Sequence, residues 1–289
     1  MLTRSQIAGF VRDGYVVVPG AVPRRTTTAC RTRVDRTLAD QGIDVADPAT
    51  WSKPVAHVPW PATRAFTTAG STEALRTAYD QLIGPGAWTQ LPTVGGNVFV
   101  RFPNRRAAPD ALWHVDGSFV RDGEMRASFP SPTRGVLCLL LLSDVGPDDA
   151  PTELKVGSHL DVGPILEPYG ADGCSFAELV EQLPPRTFDR PSVFVTGRAG
   201  DAFICHPFLV HRAARRHRGD RPRYLAQPGM MVHRPFRADG GRPRPVERAI
   251  RRSLTPVEPD ATTGPLRTMT NPTSGRRSRR GGASISPRG

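Results

Sequence analysis

From residue 135 to residue 142 the chain reads Gly-Val-Leu-Cys-Leu-Leu-Leu-Leu, with Pro132 before it and Gly146-Pro147 after it. This apolar run is too short to cross a bilayer or to make an ordinary core helix, and it suits a strand buried on both faces. It belongs to a series. Residues 97–101 alternate like a half-buried strand, and further short strands are expected at 152–156, 192–196, 201–205 and 224–231. Residues 112–118 are read as extended too. Many short strands divided by Gly and Pro exclude a chain of βαβ units and point to a sandwich or barrel.

The front of the chain is helical. Thr3 and Gln6 have capping-box spacing, Ile7, Phe10 and Val11 make one apolar face, and Gly14 suits the residue that ends the helix. A short β-branched strand follows at 15–18, then a helix over about 26–39 and another after Ser71 that stops at Gly84. Helices first and strands behind define an α+β chain with a β-sandwich core. Its 289 residues and 38% apolar composition suit one large domain. That domain is expected over 1–255, and the Thr-, Gly-, Ser- and Arg-rich stretch 256–289 is expected to be a disordered basic tail.

A net charge of +12 raises the question of nucleic acid. Eleven Arg against Glu247, Glu258 and Asp260 give +8 from residue 241 onward, which leaves an ordinary +4 for the rest. Nucleic acid is therefore not expected as a partner. Lys53 and Lys155 are the only lysines, an Arg bias of the kind a GC-rich genome produces. No run of 18 apolar residues is present, so no membrane helix is expected. The N-terminus lacks the pattern of a signal peptide. Cys30, Cys138, Cys174 and Cys205 lie far apart without a CxxC pair, which argues against structural zinc and disulfides and suits a reducing cytoplasm.

Three stretches carry chemistry. In Trp113-His114-Val115-Asp116-Gly117, an extended chain puts His114 and Asp116 on one face about 7 Å apart. An imidazole and a carboxylate that reach one point are two thirds of a facial metal site. The second stretch, residues 200–211, holds His206 and His211 around Pro207, and either can complete the set. The third is Arg221-Pro222-Arg223 at the start of the last strand, where a guanidinium can pair bidentately with a carboxylate.

In order, WHVDG (113–117), APTELKVGSH (150–159), GDAFICHPFLVH (200–211) and RPRY (221–224), with DGYVVVPG (13–20) before them, resemble the phytanoyl-CoA dioxygenase family over roughly residues 3–235. The resemblance implies a double-stranded β-helix, a cupin-like jelly roll with helices packed on one sheet. It implies a non-haem iron(II) dioxygenase that consumes 2-oxoglutarate and dioxygen, with His114, Asp116 and His211 as metal ligands and His206 as a non-ligand. Arg223 corresponds to the residue that binds the far carboxylate of 2-oxoglutarate, with Arg221 as the alternative, and Thr152 falls near the cosubstrate. His159 corresponds to a structural histidine, and Leu139 stands near a position where some relatives have Trp.

Related halogenases have a small residue where Asp116 stands, so hydroxylation is the expected outcome, with desaturation, cyclisation and epoxidation as variants. Arg101, Trp113, Phe119 and the loop 102–106 are the substrate-contact candidates, and a small secondary-metabolite intermediate is the expected substrate. His57, His217 and His233 are expected to have no catalytic part. Two other readings fit the same residues. One is a non-oxidative cupin-like metalloenzyme, an isomerase or hydrolase. The other is a binding protein with an inactive site and a basic partner-binding tail.

Overall fold

The apolar run at 135–142 becomes strand β7 (Leu137–Leu141) in the middle of a six-stranded antiparallel sheet. The computed structural model describes residues 1–59, 62–90, 96–104, 112–116, 119–129, 135–237 and 241–255. Strand order in the large sheet is β1 (Tyr15–Val18), β11 (Ala202–Cys205), β7, β13 (Arg223–Gln227), β4 (Asn97–Arg101) and β2 (Val55–Pro59). All five residues of β7 are buried because both faces of the sheet are covered. Cys138, Leu140, Val98, Val100, Tyr224 and Ile204 face a core built with the helices. Leu137, Leu139, Leu141, Phe203 and Leu225 face the other way and pack with Leu154, Val195 and Leu209. Of these last residues Leu154 belongs to a second antiparallel sheet, and Val195 and Leu209 flank it; the sheet is ordered β10 (Ser192–Phe194), β8 (Glu153–Lys155) and β12 (His211–Arg212).

The helical layer begins with α1 (Arg4–Asp13), which carries the capping box expected at Thr3 and Gln6. It ends at Gly14, whose φ of 85° is left-handed, and a Cβ there would sit 2.5 Å from His159 Nδ1. Glycine is needed at this position on both counts. α2 (Arg24–Ala39), α3 (Arg64–Gly70) and α4 (Glu73–Ile83) follow, the last capped by Thr72 and closed by Gly84. α5 (His159–Leu166) and α8 (Pro245–Leu254) pack on each other and on α1. Val246, Ala249 and Ile250 of α8 are buried, so the start of the Arg-rich end belongs to the folded core.

A smaller antiparallel sheet, β5 (Phe119–Arg121), β6 (Glu124–Ala127) and β9 (Cys174–Ser175), leads into α6 (Phe176–Gln182) and α7 (Arg186–Asp189). A pair formed by β3 (Trp88–Gln90) and β14 (Met230–Val232) completes the set. The strand expected at 224–231 is thus two strands, split at Pro228-Gly229, where the missing N–H and the turn interrupt pairing. The extended stretch 112–118 holds a single bridge, at His114, with residues 117 and 118 outside the described set. The expected tail, 256–289, also lies outside it.

Residues Met1–Thr255 form one unit. All four cysteines are free and buried, and burial pushes the Cys30 and Cys138 thiols up to about 12. Among the described residues, no helix is long and apolar enough to cross a membrane.

His159 and His206 stack on the helical side, ring centroids 5.0 Å apart, against Phe10 and Phe208. Burial lowers His159 from 6.5 to about 4, and burial with the nearby His159 charge holds His206 well below the usual value. The unfolded chain binds protons from about pH 6.5 downward, whereas folded His159 stays neutral until about pH 4. Stability is therefore present above pH 6.5 and lost as pH falls toward 4. The shift corresponds to about 3 kcal/mol from His159 alone. Urea midpoints should fall across this window in the wild-type protein and fall less in His159→Asn. Equal slopes for the two proteins would contradict this account of the buried pair.

Candidate metal centre

His114 and His211 face each other across a two-way backbone bridge: His114 N–H donates to the His211 carbonyl at 3.0 Å, and His211 N–H donates back at 2.9 Å. Directly opposed residues of antiparallel strands put their side chains on the same face. The two rings accordingly stand 4.3 Å apart between centroids, tilted by 54°. Each Nδ1 lies against the carbonyl two residues earlier, Leu112 at 2.8 Å and Leu209 at 2.9 Å. A carbonyl only accepts, so both Nδ1 atoms donate and each neutral ring carries its lone pair on Nε2. This is the tautomer that an imidazole ligand needs, held by its own backbone.

Parity places the rest of this wall. Asp116 is two residues beyond His114, Ala213 two beyond His211, and Thr152 two before Leu154, the direct partner of His211. All of them turn to the same side and line one cavity of about 310 Å³ with both histidines. The facing wall comes from β4 and β13. Asn97, Phe99 and Arg101 alternate inward on one strand, and Arg223, Leu225 and Gln227 on the other. Leu139 completes that wall, while Met125 of β6 and Phe176 of α6 close the remainder. Arg101 is 3% exposed and Arg223 1%, so two guanidinium groups are held at a buried wall.

His114, Asp116, His211, Thr152, Arg223 and Arg101 therefore share one cavity. Arg221 is 88% exposed beside Asp220, on the outside. His206 is also elsewhere: it leaves β11 toward the helices, with Nε2 3.4 Å from the Val246 carbonyl. Trp113 precedes His114 and so points to the opposite face, where its ring is covered by Arg212 at 4.1 Å and Lys155 at 5.3 Å. Phe119 packs beside Gly173, and neither aromatic residue is in the described cavity lining. Phe102 is buried against Trp51, Asn104 pairs with His217, and residues 105 and 106 lie outside the described set. His57 is exposed and bonds Asn97 Oδ1, and His233 bonds the Gly86 carbonyl far along the chain.

Sequence reasoning missed Asn97, Phe99, Leu225, Gln227, Met125 and Phe176 as cavity residues. Parity reveals four of them. Once Arg101 and Arg223 face inward, positions two and four residues away on the same strands must do so too.

Two Nε2 lone pairs and one carboxylate are a fitting donor set for a divalent transition ion. Among the described residues, no three His, Cys, Asp or Glu groups are already gathered round one point at bonding distance.

The sequence profile of the phytanoyl-CoA dioxygenase (PhyH) family matches residues 10–224, and the chain belongs to that family. A comparison with curated proteins gives no match. Among solved structures, the chain is similar to the epimerase SnoN in complex with Fe3+, alpha ketoglutarate and nogalamycin RO, with 20% identity, a TM-score of 0.57, and 79% of this chain and 82% of that one covered. It is similar to HygX from Streptomyces hygroscopicus with nickel, 2-oxoglutarate and hygromycin B bound, at 21% identity and a TM-score of 0.51, covering 82% and 90%. It is also similar to EctD from S. alaskensis with bound Fe, at 16% identity and a TM-score of 0.54, covering 80% and 77%. These likenesses show a shared fold.

The outward placement of Trp113 makes a stability prediction. In a double-mutant cycle, Trp113→Leu and Arg212→Ala should show a coupling of about 0.5–1 kcal/mol in urea unfolding. Additive effects would mean that the stacked cation contributes nothing.

Proposed function

We propose that the chain is an iron(II)- and 2-oxoglutarate-dependent oxygenase with a double-stranded β-helix core, acting on an unactivated C–H bond of a small molecule. The observation that carries this reading is the convergence on one cavity of two backbone-anchored histidines, Asp116 and the buried Arg223. His114, Asp116 and His211 hold the metal, and three protein ligands leave positions for cosubstrate and dioxygen. When bound, iron would activate dioxygen, the oxidant, with 2-oxoglutarate supplying two of the electrons as it is converted to succinate and carbon dioxide and the substrate supplying the other two.

The protein's own groups bind and orient. The carbonyls of Leu112 and Leu209 keep both imidazoles in the ligating tautomer. Arg223 takes the far carboxylate of 2-oxoglutarate as a charge-assisted bidentate pair. Arg101 lies directly across the strand pair from it and adds positive charge at the same end. Thr152 offers a hydroxyl in the opposite wall. Leu139, Phe99 and Leu225 give the cavity an apolar stretch of wall.

Asp116 keeps a carboxylate at the ligand position and favours hydroxylation, although SnoN is an epimerase and shows that a related scaffold serves other outcomes. Nogalamycin RO in SnoN and hygromycin B in HygX support a secondary-metabolite intermediate as the substrate class. Four free thiols favour the cytoplasm as the compartment.

Anaerobic addition of iron(II) and 2-oxoglutarate should give a weak visible charge-transfer band, and air should then yield succinate. The band should be absent in His211→Ala. Arg223→Ala should weaken 2-oxoglutarate binding about 10- to 100-fold, the loss expected for a hydrogen bond to a charged group. A folded protein that gives no band, or an Arg223→Ala variant with wild-type affinity, would overturn the assignment.

A further inference from the structure

β4 and β13 turn three matched pairs into the cavity: Arg101 opposite Arg223, Phe99 opposite Leu225, and Asn97 opposite Gln227. Directly opposed side chains stand about 5 Å apart. Successive rows on one face are about 7 Å apart, so the cationic row and the amide row are separated by roughly 13–14 Å. A five-carbon dicarboxylate is about 6 Å long, given C–C bonds of about 1.5 Å. The dicarboxylate is thus about half as long as the separation of the two rows. The amide row lies beyond a full apolar row and is available to a second molecule.

The amides are also organised. His57, on the edge strand β2 and directly across from Phe99, places Nε2 2.8 Å from Asn97 Oδ1. That oxygen accepts, so His57 donates, and the Asn97 NH2 group remains as a donor. The His57 ring stacks on Phe99 with centroids 4.9 Å apart, which holds its orientation. The Gln227 side chain makes no hydrogen bond to the described residues, so its donor and acceptor both remain for a ligand. This row carries no charged side chain, and its neighbours Phe99 and Leu225 are apolar.

Resting on the oxygenase reading above, we infer that Asn97 and Gln227 are the substrate-recognition station, with His57 as a positioning residue. The substrate presents an uncharged hydroxyl, carbonyl or amide on an apolar body. A ligand without that group would cover the half-buried Asn97 NH2 and Gln227 amide without pairing them, and a site built for hydrogen bonds discriminates against such a ligand. At about 310 Å³ the cavity is at the small end of the roughly 300–1,000 Å³ typical of ligand sites. Shared with the cosubstrate, it admits a small molecule or one end of a larger one. Arg101, by its row, serves the cosubstrate end and not the substrate.

The test uses three probes with one apolar body: 2-naphthol, 2-naphthoate and 2-naphthylmethylammonium. Binding is measured by calorimetry to the full chain loaded with nickel(II) and 2-oxoglutarate. The neutral probe should bind at least ten-fold tighter than either ion. Asn97→Leu and Gln227→Leu should each erase that preference while changing 2-oxoglutarate affinity less than two-fold. The near-isosteric Asn97→Asp should turn the preference toward the ammonium probe. His57→Phe should weaken 2-naphthol several-fold, and His57→Gln, which keeps a donor, should restore most of it. Equal or tighter binding of the naphthoate, absence of binding by all three probes, or an Asn97→Asp variant with unchanged preference would overturn the amide station. Failure of 2-oxoglutarate itself to bind would instead overturn the oxygenase reading.

Discussion

The pair of backbone hydrogen bonds between His114 and His211 is the constraint on which the site depends. One histidine lies in a segment with a single bridge, and the other opens a two-residue strand. Neither segment has much regular structure of its own. Their mutual bridge and the pairing of β12 with β8 fix which way both rings point. Period-two alternation then carries that choice to Asp116, Ala213 and Thr152, and the same rule on β4 and β13 fixes the facing wall. A slip of one residue in either register would turn the donors toward Trp113 and Arg212 and the guanidinium groups toward the helices.

The two faces of the large sheet are used differently. Toward the helices it is packed with apolar side chains, and the two histidines buried there, His159 and His206, are kept neutral by burial. On the other face, apolar packing around Leu137, Leu141 and Phe203 gives way to a cavity where polar groups are concentrated. The helical layer supports the strands that present those groups. Gly14 shows how tight that support is, since its missing side chain makes room for the His159 ring.

Much of this was legible in the sequence. The capping box at Thr3, the stop at Gly84 and the fully buried β7 follow from local patterns that the fold leaves intact. His206 and His211 stand five positions apart around Pro207, and parity alone only hinted that they face opposite ways. The choice depended on the turn between them, a tertiary fact. Trp113 was a reasonable substrate contact by proximity to His114, yet adjacency in a strand means opposite faces, and the cations that cover it come from β8 and β12. The roof residues Met125 and Phe176 carry no local signal, because their place is set by packing between distant segments. The amphipathic α8 was obscured by the Arg-rich composition around it.

The most direct measurement of the central claim is a metal-binding isotherm for the full chain and four single variants, using cobalt(II) as a stable stand-in for iron(II). The account predicts one ion per chain, affinity reduced at least 100-fold in His114→Ala, Asp116→Ala and His211→Ala, and nearly unchanged affinity in a folded His206→Gln. Retention of tight binding by His211→Ala, with loss in His206→Gln, would contradict it.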